Sequence, residues 1–394
     1  MQYDFDKIID RSNSNAAKYD ERFKKFERDD LIPLWIADMD FETAQPIIDA
    51  IKKRADQGIY GYTSRPTSYY ESICEWQKRH HNWDIDPKQM SFAPGIVPAL
   101  SELVREFTEP GDYVLIQTPV YPEFYDVIEA WDGRKVLENQ LFEQGGYYTM
   151  DFADLEEKLK MRPKLFLFCS PHNPVGRVWK KKELKAMTDL CIRFDVPIVS
   201  DEIHSDFLLW GNEHIPTATI SKEVASRTIS CISSTKTFNL AGLQAASVVF
   251  PNKEWKHRFD SFWGALDIHR NNCFSLVAVE AACRYGDEWL KQLIAYLQEN
   301  MLFVREFCRT EIPEIKVNLP ESTYLLWIDC RGLGLDRQAL WRFMIEEAKI
   351  GLNNGNDFCR SLDGFMRMNV ACSRNVLKSA MQQLKEAVVR LRIW

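Results

Sequence analysis

Lys236, Asp201 and Asn173 each follow a short apolar run, and together they could hold and activate a reactive small molecule. The runs are residues 229–232, 196–199 and 164–169. Such runs are typical of buried strands, and open α/β sheets bind ligands beyond the carboxyl ends of their strands. If the three strands are parallel neighbours, an amine, a carboxylate and an amide meet in one crevice. That set suits an aromatic aldehyde that carries a ring nitrogen, a ring hydroxyl and a phosphate.

The alternative for each residue is a structural one. A single lysine after a strand is most often a solvated surface residue, and a polar turn after a strand is often only a turn. The chemical interpretation of Lys236 therefore depends on the order of the strands around it.

Composition excludes several classes of function. The chain has 394 residues and a formal net charge of -7, which argues against binding to nucleic acid or to an anionic membrane surface. No stretch of 18 apolar residues is present, and the polar, acidic start does not resemble a signal peptide. The ten cysteines lack C-x-x-C spacing and many lie inside apolar runs, so we expect reduced thiols in a cytoplasmic protein. No metal site is predicted, because the seven histidines are scattered and form no H-E-x-x-H pattern.

Strand-like runs alternate with helical patterns over most of the chain, which indicates an α/β fold with a mostly parallel central sheet flanked by helices. Residues 287–307 have apolar side chains at three- and four-residue spacing and predict one long amphipathic helix. Beyond about residue 312, strand-like pieces enclose a helix near 336–348, and a last helix is expected at about 374–392. This part predicts a smaller α+β domain. We therefore divide the chain into an extended N-terminal arm that joins the small domain (1–45), a large cofactor-binding domain (46–290) and a small C-terminal domain (291–394).

Several motifs together resemble a known family. S-S-T-K-T-F-N-L-A-G around Lys236, S-D-E-I-H around Asp201 and S-P-H-N-P-V-G-R around Asn173 are similar to the motifs of fold-type-I pyridoxal-phosphate enzymes, the aspartate aminotransferase superfamily. P-L-W-I-A-D-M-D-F near the N-terminus, D-E-I-H and M-N-V-A-C-S-R resemble more narrowly the cystathionine β-lyase and cystalysin branch of C–S lyases. The resemblance covers nearly the whole chain. It implies a large domain like that of pyridoxal-phosphate-dependent transferases.

The resemblance implies roles around pyridoxal 5'-phosphate. Lys236 would bond covalently to the cofactor aldehyde and act as general base, and Asp201 would keep the pyridine nitrogen protonated. Tyr121, counted with Lys236 as catalytic, would stack on the pyridine ring and also border the substrate. The remaining cofactor-binding candidates are Asn173 at the ring hydroxyl, Gly95, Ile96, Val97, Ser233 and Thr235 at the phosphate, and His204, whose role stays open.

Two further implications concern the substrate and a second subunit. Arg367 is the expected partner of the substrate α-carboxylate, with Arg374 as the second candidate, and the backbone at Ala37 would line the same site. Tyr62 would cross a homodimer interface and donate its hydroxyl to the phosphate bound by the partner subunit, with Tyr60 as the fallback. The small-molecule amino-acid substrate would then be bound in an active site shared by two chains.

One position departs from the aminotransferase pattern. Those enzymes usually carry an arginine eight residues after the lysine to pair with the phosphate, and this chain has Gln244 there. We expect weaker cofactor binding than in arginine-bearing relatives.

The same motifs fit more than one activity. The first hypothesis is α,β-elimination on cystathionine or cysteine-type amino acids, which yields a thiol, pyruvate and ammonia. The alternative is a class I/II aminotransferase that uses the same cofactor site. A third, less favoured hypothesis is a cofactor-binding regulatory protein with little turnover.

Overall fold

The computed structural model describes residues 2–393. The α-helices are Ala17–Asp20, Arg22–Phe26, Gln45–Ala55, Thr67–His81, Ile96–Phe107, Glu123–Glu129, Phe152–Lys160, Lys181–Arg193, Lys222–Ala225, Ser234–Thr237, Lys253–Ala265, Cys273–Tyr285, Asp287–Glu311, Arg337–Arg342 and Arg374–Ile393. Short 3-10 turns lie at Pro87–Gln89, Thr217–Thr219, Ala241–Leu243, Arg331–Leu333 and Gly355–Asp357, and a π-helical turn at Phe343–Glu347.

A seven-stranded sheet forms the centre of the fold. In spatial order its strands are Met90–Ala93, Ala246–Val249, Thr228–Ile232, Ile198–Asp201, Leu165–Cys169, Tyr113–Thr118 and Lys135–Gln140. Ala246–Val249 is antiparallel to both of its neighbours, and the pairs from Thr228–Ile232 through to Lys135–Gln140 are parallel. The predicted α/β class with a mostly parallel sheet is confirmed.

The central strands are buried along their whole length, because helices cover both faces of the sheet. Every residue of Leu165–Cys169, Ile198–Asp201 and Thr228–Ile232 is buried. Parallel sheets of this kind produce continuous apolar runs in the sequence rather than alternating ones. The three runs from which the crevice was predicted are therefore adjacent strands, and they run in the same direction.

A smaller sheet lies toward the C-terminus. Its strands, in order, are Lys316–Val317, Leu325–Asp329, Phe365–Asn369 and Asn353–Asn354, and all of its pairs are antiparallel. The predicted long helix is present as Asp287–Glu311, and its buried side chains pack into both the core near the central sheet and the core around the small sheet.

Two predicted elements differ from the structure. The helix expected near 336–348 is present, but only its first part, Arg337–Arg342, is α-helical. The following residues, Phe343–Glu347, form a π-helical turn. The N-terminal arm is not extended throughout, since it contains the short helices Ala17–Asp20 and Arg22–Phe26. The strand Ile32–Pro33 of the arm pairs in parallel with Ile350–Gly351. Elsewhere in the chain, Phe142–Gln144 and Tyr147–Thr149 form a separate antiparallel hairpin. Within residues 2–393, no helix has the length and apolar character that crossing a membrane requires.

Candidate active site

A cavity of about 270 Å³ lies at the carboxyl ends of the central parallel strands. Its walls come from the loops that follow those strands, from the start of one long helix and from the N-terminal arm. The lining residues are Ala37, Pro94, Gly95, Ile96, Val97, Pro98, Tyr121, Cys169, Asn173, Asp201, Ile203, His204, Thr235, Lys236, Ala241, Gln244 and Ala245. The structure thus brings Lys236, Asp201 and Asn173 to one cavity.

Lys236 lies in a single helical turn directly after its strand. Ser233 caps this turn by accepting from the Thr235 backbone N–H at 3.1 Å. The Lys236 Nζ donates to the backbone carbonyl of Ala37 at 2.6 Å. Burial, together with the positive charge of Arg367, lowers the pKa of Lys236 to about 8. The amine is therefore neutral in a substantial fraction of molecules at mildly alkaline pH, as a nucleophile or base must be.

Asp201 is the last residue of the neighbouring strand and is buried. Burial raises the pKa of its carboxyl group to about 7, and the hydrogen bond that it accepts from the Ile203 N–H at 3.1 Å opposes this shift only in part. A cationic ring nitrogen beside this carboxylate would restore the ionised form, because an opposite charge favours it. Asp201 therefore fits a protonated pyridine nitrogen.

His204 follows Asp201 by three residues and also lines the cavity. Its Nδ1 is buried and has no hydrogen-bond partner. Burial, with the nearby charges of Lys236 and Arg367, lowers the pKa of His204 to about 3, so the ring is neutral at pH 7. A neutral imidazole with a free Nδ1 can donate to or accept from a ligand atom.

The phosphate candidates fall into two groups. Gly95 is the N-cap of Ile96–Phe107, so Ile96 and Val97 occupy its first turn, where backbone N–H groups lack helical partners and favour anions. Thr235 lines the same cavity. Ser233 does not, because its hydroxyl donates to the Ala245 carbonyl at 2.7 Å and lies 2.7 Å from the Thr235 Oγ1. The Ser233 hydroxyl thus makes a capping and a loop-closing contact, and its role at a phosphate stays a prediction.

Arg367 is buried in the middle of a strand of the small sheet. Its Nη1 donates to the Asn173 Oδ1 at 3.2 Å, and its Nη2 donates to the Trp35 carbonyl at 3.1 Å and to the Asn353 Oδ1 at 2.8 Å. Its Nε is also buried and has no partner. The side chain thus reaches the cavity wall through Asn173 and keeps an unsatisfied buried donor, which is the state expected of a group that binds an anionic ligand.

Tyr121 lines the cavity, and a carboxylate that the sequence did not single out lies beside it. Burial and the neighbouring Glu123 raise the pKa of Tyr121 well above its usual value. Burial also raises the pKa of Glu123, and its Oε2 is buried without a partner. Only the E in the motif T-P-V-Y-P-E-F-Y could have indicated Glu123, and no spacing rule connects it to Lys236.

Ala37 enters the cavity through its backbone, whose carbonyl also accepts from the Tyr324 hydroxyl at 2.8 Å. Gln244 lines the cavity in a left-handed conformation, with φ of 52°. Arg374 lies at the start of the last helix, where its Nε donates to the Asn300 Oδ1 at 2.7 Å, so the second candidate for the substrate carboxylate is engaged elsewhere.

Tyr62 and Tyr60 do not reach the cavity of their own chain. The Tyr62 side chain is 93% exposed, and its ring lies under the guanidinium of Arg270 at 5.4 Å. The Tyr60 hydroxyl donates to the Ala55 carbonyl at 2.8 Å. A role for Tyr62 at a cofactor phosphate requires a second chain and stays a prediction.

These residues fit pyridoxal phosphate in kind. They supply an amine with a lowered pKa, a buried carboxylate for a cationic ring nitrogen, unpaired donors at a helix start and an aromatic face. Each individual role remains a prediction, but together they lie in one cavity.

Comparison with known proteins assigns the chain to a family and to relatives within it. Residues 29–384 match the family model described as aminotransferase class I and II. The cystathionine β-lyase PatB of Bacillus subtilis (strain 168) is 39% identical over 98% of this chain and 99% of its own length. Among solved structures, cystalysin of Treponema denticola, which contains a pyridoxal 5'-phosphate cofactor, has 37% identity and a TM-score of 0.96 over 99% of this chain and all of its own. A pyridoxal-phosphate-bound putative aminotransferase from Clostridium difficile 630 has 45% identity and a TM-score of 0.96 over 98% of this chain and all of its own.

Proposed function

Because the chain belongs to the class I and II aminotransferase family, in the branch of the C–S lyases, we propose that it is a pyridoxal-phosphate-dependent C–S β-lyase. It eliminates the thiol from cystathionine or a related cysteine-type amino acid and yields pyruvate and ammonia. The observation that carries this proposal is the position of Lys236 and Asp201 in one cavity. Asp201 ends one strand and Lys236 follows the adjacent parallel strand, in a chain similar over 98% of its length to a cystathionine β-lyase.

Bound pyridoxal phosphate supplies an electron sink that stabilises negative charge at the substrate Cα. Lys236 would hold the cofactor through its aldehyde carbon, and its free amine would serve as the general base for the Cα proton. Asp201 would keep the ring nitrogen protonated through a charge-assisted hydrogen bond. The loss of the Cα proton then allows the β-thiolate to leave.

Arg367 and Ala37 orient the amino acid. The free Nε of Arg367 and its guanidinium charge favour the α-carboxylate, and the cavity-facing backbone of Ala37 borders the same group. Tyr121, which lines the cavity, would stack its ring on the cofactor. The neutral His204 can hold a hydrogen bond near the ring hydroxyl without adding charge.

An aminotransferase activity is the second candidate, since the relative from Clostridium difficile carries that name. Both reactions begin with proton removal by Lys236, and they differ in where the next proton or leaving group goes. Incubation of the purified protein with cystathionine and no keto acid separates them. Continuous release of pyruvate and thiol supports the lyase, whereas a single stoichiometric conversion of the cofactor to its amine form supports the aminotransferase. A chain that binds the cofactor and does neither would be a binding protein.

The active form is a homodimer in this proposal. Tyr62 lies in an exposed apolar patch that two segments form together, and Thr63 and Arg65 tie these segments by donating to the carbonyls of Asn271 and His269. The exposed apolar residues of the patch are Ile59, Tyr60, Tyr62, Leu266 and Ile268. Contiguous apolar patches on a protein surface commonly mark interfaces. A dimer through this patch would cover it and could bring Tyr62 toward the cavity of the partner subunit.

A cytoplasmic location also belongs to this proposal. All ten cysteines are free thiols, as is usual in a reducing compartment. Fractionation of the source cells with an antibody to this chain would test the location.

A further inference from the structure

Residues 35–41, here called the crossing segment, bring the Ala37 backbone into the active-site cavity without belonging to a sheet or helix. Backbone groups in such a segment need partners from elsewhere in the molecule, because buried N–H and C=O groups are nearly always paired. The identity of those partners shows what holds Ala37 in place.

Two asparagines supply much of this support, and each belongs to a functional loop or strand. Asn239, three residues after Lys236, accepts from the Met39 N–H at 3.0 Å and donates to the Met39 carbonyl at 2.9 Å. Asn369, two residues after Arg367, donates to the carbonyls of Ile36 and Asp38, both at 2.6 Å. The crossing segment is thus tied to the lysine loop and to the arginine strand.

The crossing segment is also tied to the N-terminal residues by ion pairs, in which two cations bind two of its own carboxylates. Arg11 pairs with Asp38 at 2.7 Å and with Asp40 at 2.6 Å, and the Lys18 Nζ lies 2.9 Å from the Asp40 Oδ2. Lys18 is fully buried, and its Nζ also lies 3.7 Å from the Asp38 Oδ1. We call Arg11, Lys18, Asp38 and Asp40 the charge quartet; its two positive and two negative charges balance.

Lys18 and Asp40 are buried and Arg11 and Asp38 are partly buried, and such a cluster fixes geometry more than it adds stability. Removing two charges from water costs about as much as their attraction returns, so buried ion pairs contribute little net stability, whereas each pair fixes direction and distance. Asp38 is adjacent to Ala37, whose carbonyl accepts from Lys236 and Tyr324. A shift of the quartet would therefore move the backbone carbonyl that accepts from the reactive lysine.

We propose that Arg11 and Lys18 are positioning residues, which set the place of the Ala37 backbone in the substrate site through Asp38 and Asp40. Neither side chain lines the active-site cavity. This inference deepens the proposed lyase function, and it rests on that function for its kinetic consequence only.

The first test uses the chain without cofactor. Arg11→Lys keeps the charge but loses the planar fork that reaches both carboxylates. Lys18→Met combined with Asp40→Asn removes one buried pair while keeping neutrality and approximate volume. Hydrogen exchange, read by mass spectrometry on peptides covering residues 35–41, is expected to rise at least about tenfold in both variants, because the amides of Met39 and Asp40 lose their fixed geometry. The control is Arg331→Lys, since Arg331 also contacts two carboxylates, Asp329 and Glu143, but lies away from the cavity.

The second test separates positioning from folding in the loaded enzyme. With cystathionine, Arg11→Lys is expected to raise KM about tenfold while kcat changes less than about threefold, since ground-state and transition-state binding are lost together. The affinity for a non-reactive carboxylate analogue should fall by the same factor, and cofactor content should stay unchanged. A merely structural role would instead lower the active fraction and leave KM unaltered.

Each result decides the proposal. The proposal is overturned if hydrogen exchange at residues 35–41 is as slow in both variants as in the wild type. It is also overturned if this exchange rises and the KM for cystathionine does not change. If the wild-type chain shows no lyase turnover, the proposed function fails, and the exchange measurement together with analogue affinity then decides the positioning role by itself.

Discussion

Asp201 and Lys236 lie at the same edge of the central sheet with pKa values that have moved toward each other. The pKa of Asp201 is raised to about 7 and that of Lys236 is lowered to about 8, in both cases chiefly by burial. Their mutual attraction would separate the two values, so desolvation is the stronger effect. The cavity is therefore unfavourable for charges on its own residues and is suited to a ligand that brings complementary charges.

Replacement of Asp201 by asparagine should stabilise the cofactor-free chain at neutral pH. The folded carboxyl has a pKa of about 7, whereas an ordinary aspartate has one of 3.8, so the folded state holds the proton more strongly than the unfolded state. The wild-type chain therefore loses stability as pH rises from about 4 to about 7, by up to about 4 kcal/mol for the full shift. Asp201→Asn removes this loss, and denaturant unfolding at pH 4 and pH 8 should show a gain at pH 8 only.

The same substitution should lower the rate of elimination when the cofactor is bound. With pyridoxal phosphate present, elimination should fall on the order of 10²-fold in Asp201→Asn, because the ring nitrogen loses the carboxylate that keeps it protonated. Asp84→Asn is the control, since that side chain is 80% exposed. Equal pH dependence of stability in wild type and Asp201→Asn would contradict the argument.

The rate of cofactor attachment should follow the titration of Lys236. Only the neutral amine attacks an aldehyde, so the rate at which pyridoxal phosphate bonds to the empty chain should rise with pH and level off above about 8. Visible absorbance after mixing and mass measurement after borohydride reduction both follow this step. Lys236→Ala should show no covalent product at any pH.

Removing the guanidinium at Arg367 should shift that pH profile. Its positive charge is one of the causes of the low pKa of Lys236, so Arg367→Met should raise this pKa and move the midpoint to higher pH. Arg374→Met provides the matched control, because Arg374 belongs to the start of the last helix. An unmoved midpoint in a folded Arg367→Met variant would show that Arg367 does not act on the lysine.

A single arginine should tighten cofactor binding. Gln244 lines the cavity, and an arginine at this position would add a fork of donors for the phosphate. We expect the dissociation constant of pyridoxal phosphate to fall about tenfold in Gln244→Arg, which corresponds to about 1.4 kcal/mol. Equilibrium dialysis measures this constant, and Gln244→Met controls for the loss of the amide. Unchanged or weaker binding of pyridoxal phosphate by Gln244→Arg would contradict the prediction that Gln244 makes cofactor binding weaker.

The sequence was sufficient for the central sheet because its strands are buried on both faces. Continuous apolar runs that end at Asn173, Asp201 and Lys236 are the direct product of that burial, and the polar ends of parallel strands must meet. The division of the chain at residues 45 and 290 stays a prediction, since the helix Asp287–Glu311 packs against the cores on both sides of it.

Contacts between distant segments were beyond reach of the sequence. The Ser233 hydroxyl, for example, closes a loop by donating to the carbonyl of Ala245. The same holds for Asn239 and for the charge quartet, whose partners are separated by 20 to 200 positions. Such pairings depend on the three-dimensional path of the loops, and no local propensity or periodicity encodes them.

A shared active site predicts that two impaired variants restore activity when their subunits are mixed. Tyr62→Ala should weaken cofactor binding in every site of its homodimer, and Lys236→Ala should abolish attachment in every site. In a mixed dimer, one site combines the lysine of one chain with the tyrosine of the other and is intact. Random exchange of subunits makes half of the dimers mixed, so activity should recover to about a quarter of wild type. Tyr60→Phe mixed with Lys236→Ala serves as the control and should show only the activity of the Tyr60→Phe chains. Mixtures that never exceed the sum of the separate variants, despite proven subunit exchange, would place Tyr62 outside the partner's site.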